Sequence, residues 1–354
     1  MPSDSPSGNG AVRSISQGEV EVYDRQLRLW GVQAQQRLLK SKVLIWGLEG
    51  SNVEVCKNLV LAGVTLVLRD HRTVSIADVA FNYFLREDEV GKNRAECTAR
   101  RVQEMNPFCE VIANTEGPVD NLAELHTAMK HYDVVCLGPG VLGWDMGRVS
   151  AAAAACRKAH VGFILTVSAG EIVYFVSDFG NCVVEERSNV QGRPAEAPDQ
   201  AAELEKVTFP AFSEWLACSA ADLQQQKADG VFILLALFTG FLQKKGTALP
   251  VEPEAVAAQF ADFCRTSKCA PEVEGVSKLE DIGPMFFLEP LVPVAAVLGG
   301  LLAQEVIKFI TRRDPPLVNC VCFSAHTGAA LVERIPAQKV QPKRKAEVSV
   351  DLDD

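Results

Sequence analysis

The sequence has no basic surplus, no cysteine pair at metal-ligand spacing and no long unbroken apolar run. Its net charge is -10, which argues against broad nucleic-acid binding, because neutralising phosphates takes a basic face. Cys320 and Cys322 are separated by one residue, and no C-x-x-C pair occurs among the 11 cysteines. A structural zinc site is therefore not expected. The longest apolar stretches, around Val231–Leu242 and Phe286–Leu302, are too short or too broken by Gly and Pro to read as membrane spans. No secretory leader is visible, so the expected compartment is one with reduced thiols, cytosolic or nuclear.

What is present is a globular balance: 48% hydrophobic and 23% charged residues over 354 positions, enough for one large domain or two ordinary ones. Residues 1–19 are rich in Ser, Gly and Pro and read as a disordered arm. Val20, Tyr23, Leu27, Trp30, Ala34 and Leu38 then recur at helical spacing, with Arg25 and Arg28 off the apolar stripe. The runs Lys42–Trp46, Thr65–Leu68, Val111–Ala113, Asp133–Leu137 and Gly162–Val167 read as buried strands, and helical patterns alternate with them. Such alternation implies a doubly wound, Rossmann-like α/β domain.

The pattern changes near residue 180. Val190–Glu203 reads as an exposed loop, and Leu204–Lys278 as mainly helical, with Val231–Leu242 and Glu254–Cys264 as helices. Pro293–Ile310 reads as a long helix interrupted at Gly299-Gly300, followed by a strand at Val318–Phe323 and its hairpin mate at Gly328–Glu333. Residues 20–180 and 285–335 thus form the main domain, 181–284 a helical insertion, and 336–354 a disordered polar tail.

The first strand ends at Gly47-Leu-Glu-Gly50-Ser-Asn52. A glycine turn between strand and helix is either a phosphate cradle or simply a close strand-to-helix approach. Asp70, ending the second strand, suits either a ribose hydroxyl or a turn cap. Asn52 stands where a dinucleotide fingerprint has its third glycine, which counts against a nicotinamide dehydrogenase.

Longer blocks carry a resemblance: Tyr23-Asp-Arg-Gln-Leu-Arg-Leu-Trp-Gly31, Gly47-Leu-Glu-Gly50, Lys57-Asn-Leu-Val-Leu-Ala-Gly-Val64, Val90-Gly-Lys-Asn-Arg-Ala-Glu96, Pro293-Val-Ala-Ala-Val-Leu-Gly-Gly-Leu-Leu-Ala-Gln-Glu-Val-Ile-Lys308 and Arg313-Asp-Pro-Pro316. The chain resembles the ThiF/MoeB-type adenylation domains of activating enzymes for ubiquitin-like proteins. Within them it is similar to the small, non-catalytic subunits of SUMO-activating enzymes. Active members of that superfamily carry a third glycine, a D-x-D pair, an arginine and a lysine for the phosphates, and a magnesium aspartate. Aligned to that pattern, these positions fall on Asn52, Arg72, Asn82, Arg94 and near Gly140 in this sequence. The resemblance therefore implies an adenylation domain in shape but not in activity, with a vestigial site at Gly47, Gly50, Asn52, Asp70, Arg72, Asn82, Arg94 and Gly140.

The thioester-forming cysteine of the family lies in a Pro-Cys-Thr-type segment of the insertion. Here the only Cys-Thr is Cys97-Thr98, outside it, and Cys182, Cys218, Cys264 and Cys269 have no adjoining His. The resemblance implies a heterodimer with a large catalytic subunit that binds ATP and Mg2+ and takes SUMO as a thioester; this chain alone binds no cofactor. Arg25, and more weakly Arg28, are expected to reach the partner's ATP. The tail holds Lys343, Arg344 and Lys345, either a nuclear-import cluster or a solvated charge run. The expected location is nuclear with a cytoplasmic pool. Val348–Asp354 is either a SUMO-interacting strand or a plain acidic tail. The rivals are an autonomous ThiF/MoeB-type adenylyl- or sulfur-transferase and a small subunit for another ubiquitin-like protein. The longer insertion of the cullin-pathway subunit disfavours that second option.

Overall fold

The computed structural model describes residues 15–119, 121–170, 172–185, 205–246, 253–267 and 291–337. Five strands, β1 (Lys42–Trp46), β2 (Thr65–Arg69), β3 (Val111–Asn114), β4 (Val134–Leu137) and β5 (Gly162–Ala169), pair in parallel in the order β3-β2-β1-β4-β5. Their side chains alternate between two cores, one on each sheet face. Val43, Ile45, Leu66 and Leu68 belong to one, and Leu44, Trp46, Val67 and Leu137 to the other. A strand buried on both faces needs a continuous apolar run, which is what these segments have. Three antiparallel strands, β6 (Ile172–Asp178), β9 (Cys320–Ser324) and β10 (Ala329–Glu333), extend the sheet beyond β5. The sequence reading assigned no strand to β6, which follows β5 after a tight reversal and is buried along its whole length.

The first helix, α1 (Gln17–Lys40), begins inside the span expected to be a disordered arm. Ser16 and Glu19 explain this: they form a reciprocal capping box, Glu19 N–H donating to Ser16 Oγ at 3.3 Å and Ser16 N–H to Glu19 Oε2 at 2.9 Å. The helix is broken at Gly31 (φ 81°), and Arg313 Nη1 donates to the Trp30 carbonyl at the break. A left-handed φ at this point favours glycine. Residues 1–14 lie outside the described residues, as do Val190–Glu203, Cys269 and the tail with Lys343, Arg344, Lys345 and Val348–Asp354.

On one sheet face lie α2 (Ser51–Leu61), α4 (Arg94–Glu104) and the apolar helix at Val292–Thr311; a short helix α3 (Ile76–Phe81) follows β2. On the other lie α5 (Leu122–Met129) and α6 (Met146–Ala159). The segment read as a helical insertion opens with a two-stranded ladder, β7 (Asn181–Val184) and β8 (Glu205–Thr208). The helices α7 (Phe212–Ala217), α8 (Ala220–Gln225), α9 (Gly230–Lys245) and α10 (Pro253–Thr266) follow. Phe212, Trp215, Phe232 and Phe238 join the same core as Phe163 and Val149. Among the described residues the insertion shares its core with the sheet rather than closing one of its own.

The last helix, α11 (Val292–Thr311), runs unbroken through Gly299 and Gly300, contrary to the expected interruption. By length and composition it is apolar enough to cross a membrane; half of that stretch is buried within this fold. Its glycines differ in role. A Cβ at Gly299 would lie 2.5 Å from Glu54 Cβ and 2.9 Å from the Ser51 carbonyl oxygen, so the glycine lets α2 and α11 pack backbone to backbone; nothing lies within 4 Å at Gly300. Gly299→Val should therefore destabilise the chain by about 1–3 kcal/mol through overpacking. Gly300→Ala should stabilise it by about 0.5–1 kcal/mol through helix propensity. Urea unfolding of both variants checks the contrast.

Candidate functional site

The strand order reverses between β1 and β4, and ligands of open α/β sheets bind in the crevice outside the carboxyl ends of such strands. One lip of this crevice is the glycine turn. Gly47 (φ 94°) and Gly50 (φ 49°) are both left-handed, and α2 starts immediately after. The other lip is Gly138–Gly140, whose Gly138 N–H donates to the Trp46 carbonyl at 2.8 Å. The turn has the shape of a phosphate cradle, and two of its N–H donors are already engaged within the chain. Ser51 N–H donates to Ser168 Oγ at 2.9 Å, and Asn52 N–H to the Glu49 carbonyl at 3.1 Å. Asn52, in place of a third glycine, is buried and donates from Nδ2 to the Gly47 carbonyl at 2.9 Å.

Glu49, quoted within the turn but not singled out as a site residue, closes the crevice. Its Oε1 accepts from Gly140 N–H at 3.2 Å, so a carboxylate on the β1 lip is bonded to the backbone of the β4 lip. Cβ atoms at Gly138 and Gly140 would lie 3.0 Å and 2.5 Å from that carboxylate. Its Oε2 accepts from Arg72 Nη1 at 2.8 Å. A negative charge inside a turn shaped for anions was the available signal, but its partners lie far away in sequence.

Behind Glu49 sits Asp70, inaccessible to solvent. Its Oδ2 accepts from Leu48 N–H at 2.9 Å and Arg72 Nη2 at 2.8 Å; its Oδ1 accepts from Arg72 N–H at 3.0 Å and Arg72 Nε at 2.9 Å. Arg94 Nη1 lies 3.7 Å from Asp70 and its Nη2 donates to Asp78 Oδ2 at 2.7 Å. Burial alone would raise the Asp70 carboxyl, but the bond and charge of Arg72, the charge of Arg94 and the Leu48 N–H hold it below the ordinary range. Burial likewise opposes the charge of Arg72, yet Glu49 and Asp70 hold it more firmly protonated than usual. Asn82 accepts from Phe84 N–H at 2.9 Å through Oδ1. Its Nδ2, like Arg94 Nε and Asn52 Oδ1, is buried without a hydrogen-bond partner.

The structure thus brings Gly47, Gly50, Asn52, Asp70, Arg72, Arg94 and Gly140 around one crevice, with Asn82 following the α3 that carries Asp78. It adds Glu49 and Asp78, which the sequence reading missed. In the crevice an internal carboxylate bridges the two lips, and a guanidinium occupies the position of an expected acid.

Arg25 and Arg28 lie elsewhere. Gln26 Nε2 donates to the Leu61 carbonyl at 3.0 Å. This end of α1 therefore sits by the carboxyl end of α2, about 16 Å along that helix from the glycine turn. Arg28 is paired with Asp24, Nη2 to Oδ2 at 3.0 Å. Arg25 is exposed and makes no ion pair with a described residue. Exposed apolar side chains flank it on α1, Val22, Leu29 and Val32.

The ThiF-family model matches residues 23–346. The chain belongs to the ThiF family. This ThiF-family chain is 32% identical to SUMO-activating enzyme subunit 1 of Rattus norvegicus, over 93% of its own length and 98% of that protein. It is 31% identical to SUMO-activating enzyme subunit 1 of Homo sapiens, over 90% and 96%. Among solved structures it resembles PaaA with a TM-score of 0.56 at 15% identity, covering 92% of this chain and 77% of that one. It also resembles E. coli MccB, solved with MccA-N7isoASN, with a TM-score of 0.53 at 17% identity, covering 90% and 73%. At such identities these two establish the fold alone.

Removing the central charge of the crevice leaves two arginines without their buried partner. Asp70→Asn should destabilise the chain by about 3 kcal/mol. The stability from this depressed carboxylate is fully present above its unfolded value of about 3.9 and is lost as pH falls through the lower folded value. Denaturant midpoints from about pH 7 to about pH 3 should therefore fall more steeply for the wild type than for Asp70→Asn.

Proposed function

We propose that this chain is the non-catalytic subunit of a heterodimeric SUMO-activating enzyme. The observation that carries the reading is the closed crevice: Glu49 and Arg72 occupy the place where an active ThiF-type subunit needs its own nucleotide and metal. The choice of SUMO rests on the relatives, similar along nearly the full length of both chains. The partner would be a large catalytic subunit that holds ATP and Mg2+. In the assembled enzyme the SUMO C-terminal carboxylate attacks the α-phosphate of ATP, giving an acyl adenylate and pyrophosphate, and a partner cysteine thiolate then takes the acyl group as a thioester, releasing AMP.

Two further observations support this division of labour. Arg25 is exposed, without an ion pair among the described residues, and remote from the chain's own crevice, as an arginine acting on a phosphate in another subunit must be. Arg28 is committed to Asp24, which favours Arg25 for that role. The described cysteines of the insertion, Cys182, Cys218 and Cys264, are poor nucleophiles. Burial raises the thiols of Cys182 and Cys218 and pushes that of Cys264 up to about 11, so none is poised as a thiolate. The Lys343, Arg344 and Lys345 cluster would direct the chain to the nucleus, leaving a cytoplasmic pool.

The test is co-purification followed by kinetics. A large cysteine-bearing subunit should accompany the chain at one-to-one ratio, and the pair should charge itself with SUMO. Arg25→Ala should leave assembly intact and slow ATP–pyrophosphate exchange by the pair by about a hundredfold. Arg28→Ala should change the exchange much less. Unchanged exchange in Arg25→Ala removes the arginine's assignment. Exchange by the purified chain alone would turn the reading toward an autonomous adenylyltransferase.

A further inference from the structure

The crevice holds a charge arrangement that an empty relic would not need. Glu49 lies in the middle of a turn whose two left-handed glycines bring backbone close to whatever occupies it. Its carboxylate makes the contacts a bound oxyanion would make: one oxygen on the Gly140 N–H across the crevice, the other on the Arg72 guanidinium. The glycines of the opposite lip leave room for that group and no more, since a Cβ at Gly140 would lie 2.5 Å from Glu49 Oε1. Two donors of the surrounding cluster, Asn82 Nδ2 and Arg94 Nε, are buried and unpartnered, and both side chains are more than nine-tenths buried. An unsatisfied buried donor is costly to keep; Arg94 carries one while its Nη atoms face Asp70 and Asp78, the acids behind Glu49 and Arg72.

We propose that Glu49 is an internal ligand, a carboxylate that occupies an oxyanion site formed by Gly140 N–H and Arg72 and so keeps inorganic phosphate out. The inference rests on reading the glycine turn as a nucleotide cradle kept in shape, and not on the assembly with a partner. Glu49 is well suited to substitution. Its side chain is 32% exposed, and Asp70 holds Arg72 in place independently of it. Losing the carboxylate leaves a fixed guanidinium and a fixed N–H facing a vacated space at the mouth of the crevice. This is the donor set that phosphate oxygens take.

The experiment is thermal unfolding of the full chain in inorganic phosphate against sodium chloride at matched ionic strength. The wild type should show no phosphate-specific shift. Glu49→Ala should gain a phosphate-dependent rise in Tm of about 2–4 °C at a hundredfold excess over its dissociation constant. Arg72→Ala in the Glu49→Ala background should abolish that gain. Glu49→Ser, which also removes the carboxylate and vacates the space, is read in the same way if Glu49→Ala does not unfold cooperatively. A folded variant that gains no phosphate stabilisation overturns the proposal, as does a wild type stabilised as strongly as the variant. Neither outcome touches the role of Arg25, because thioester formation by the assembled pair reports on a different pocket.

Discussion

Asp70 receives the Leu48 N–H and a forked Arg72 in a site closed to water, and the geometry of the crevice follows from that arrangement. The bond to Leu48 fixes the glycine turn relative to the end of β2. Arg72, held by its own backbone N–H and guanidinium against one carboxylate, is left with a single Nη free to reach Glu49. Glu49 then spans to the strand beyond. A charge buried this deeply is tolerated only because every element around it supplies a donor. The cost of moving any one of them falls on all the others.

This chain of dependence separates shape from activity. The parallel sheet and the strand-order reversal remain, so the fold still offers its customary crevice. The charges lining it are paired with one another: Glu49 with Arg72, and Asp70 with Arg72 and Arg94.

The parallel strands were legible because burial on both faces demands unbroken apolar runs, and the long helices because their stripes recur at helical spacing. β6 was missed although Ile172–Asp178 is as apolar as its neighbours. Only a short reversal separates it from β5, and apolar continuity does not reveal a change of direction. The ladder of β7 and β8 was invisible for the opposite reason: it is short, and the described part of β8 is largely exposed. The glycine pair in α11 reads locally as a breaker, and only the proximity of α2 explains why the helix continues. At the crevice, the positions of Asp70, Arg72, Arg94 and Gly140 could be aligned to a pattern. The bond between Glu49 and Gly140 could not, because it joins residues that meet only after three crossovers of the sheet.

The break at Gly31 has a consequence for how the molecule is made. The carbonyl exposed there is taken by Arg313, and Arg37 beyond it donates to the Thr311 carbonyl at 2.6 Å. These two bonds join residues 283 and 274 positions apart, whereas Gln26 and Gln35 hold the same helix to the Leu61 and Ala62 carbonyls, 35 and 27 positions away. β6 waits for β9 to cover its open edge. Pairings so distant along the chain are slow to close. Synthesis proceeds at about 5–20 residues per second, so the bonds of Trp30 and Arg37 to Arg313 and Thr311 close on the order of tens of seconds after α1 is made, while those of Gln26 and Tyr23 to Leu61 and Asn106 can close much sooner.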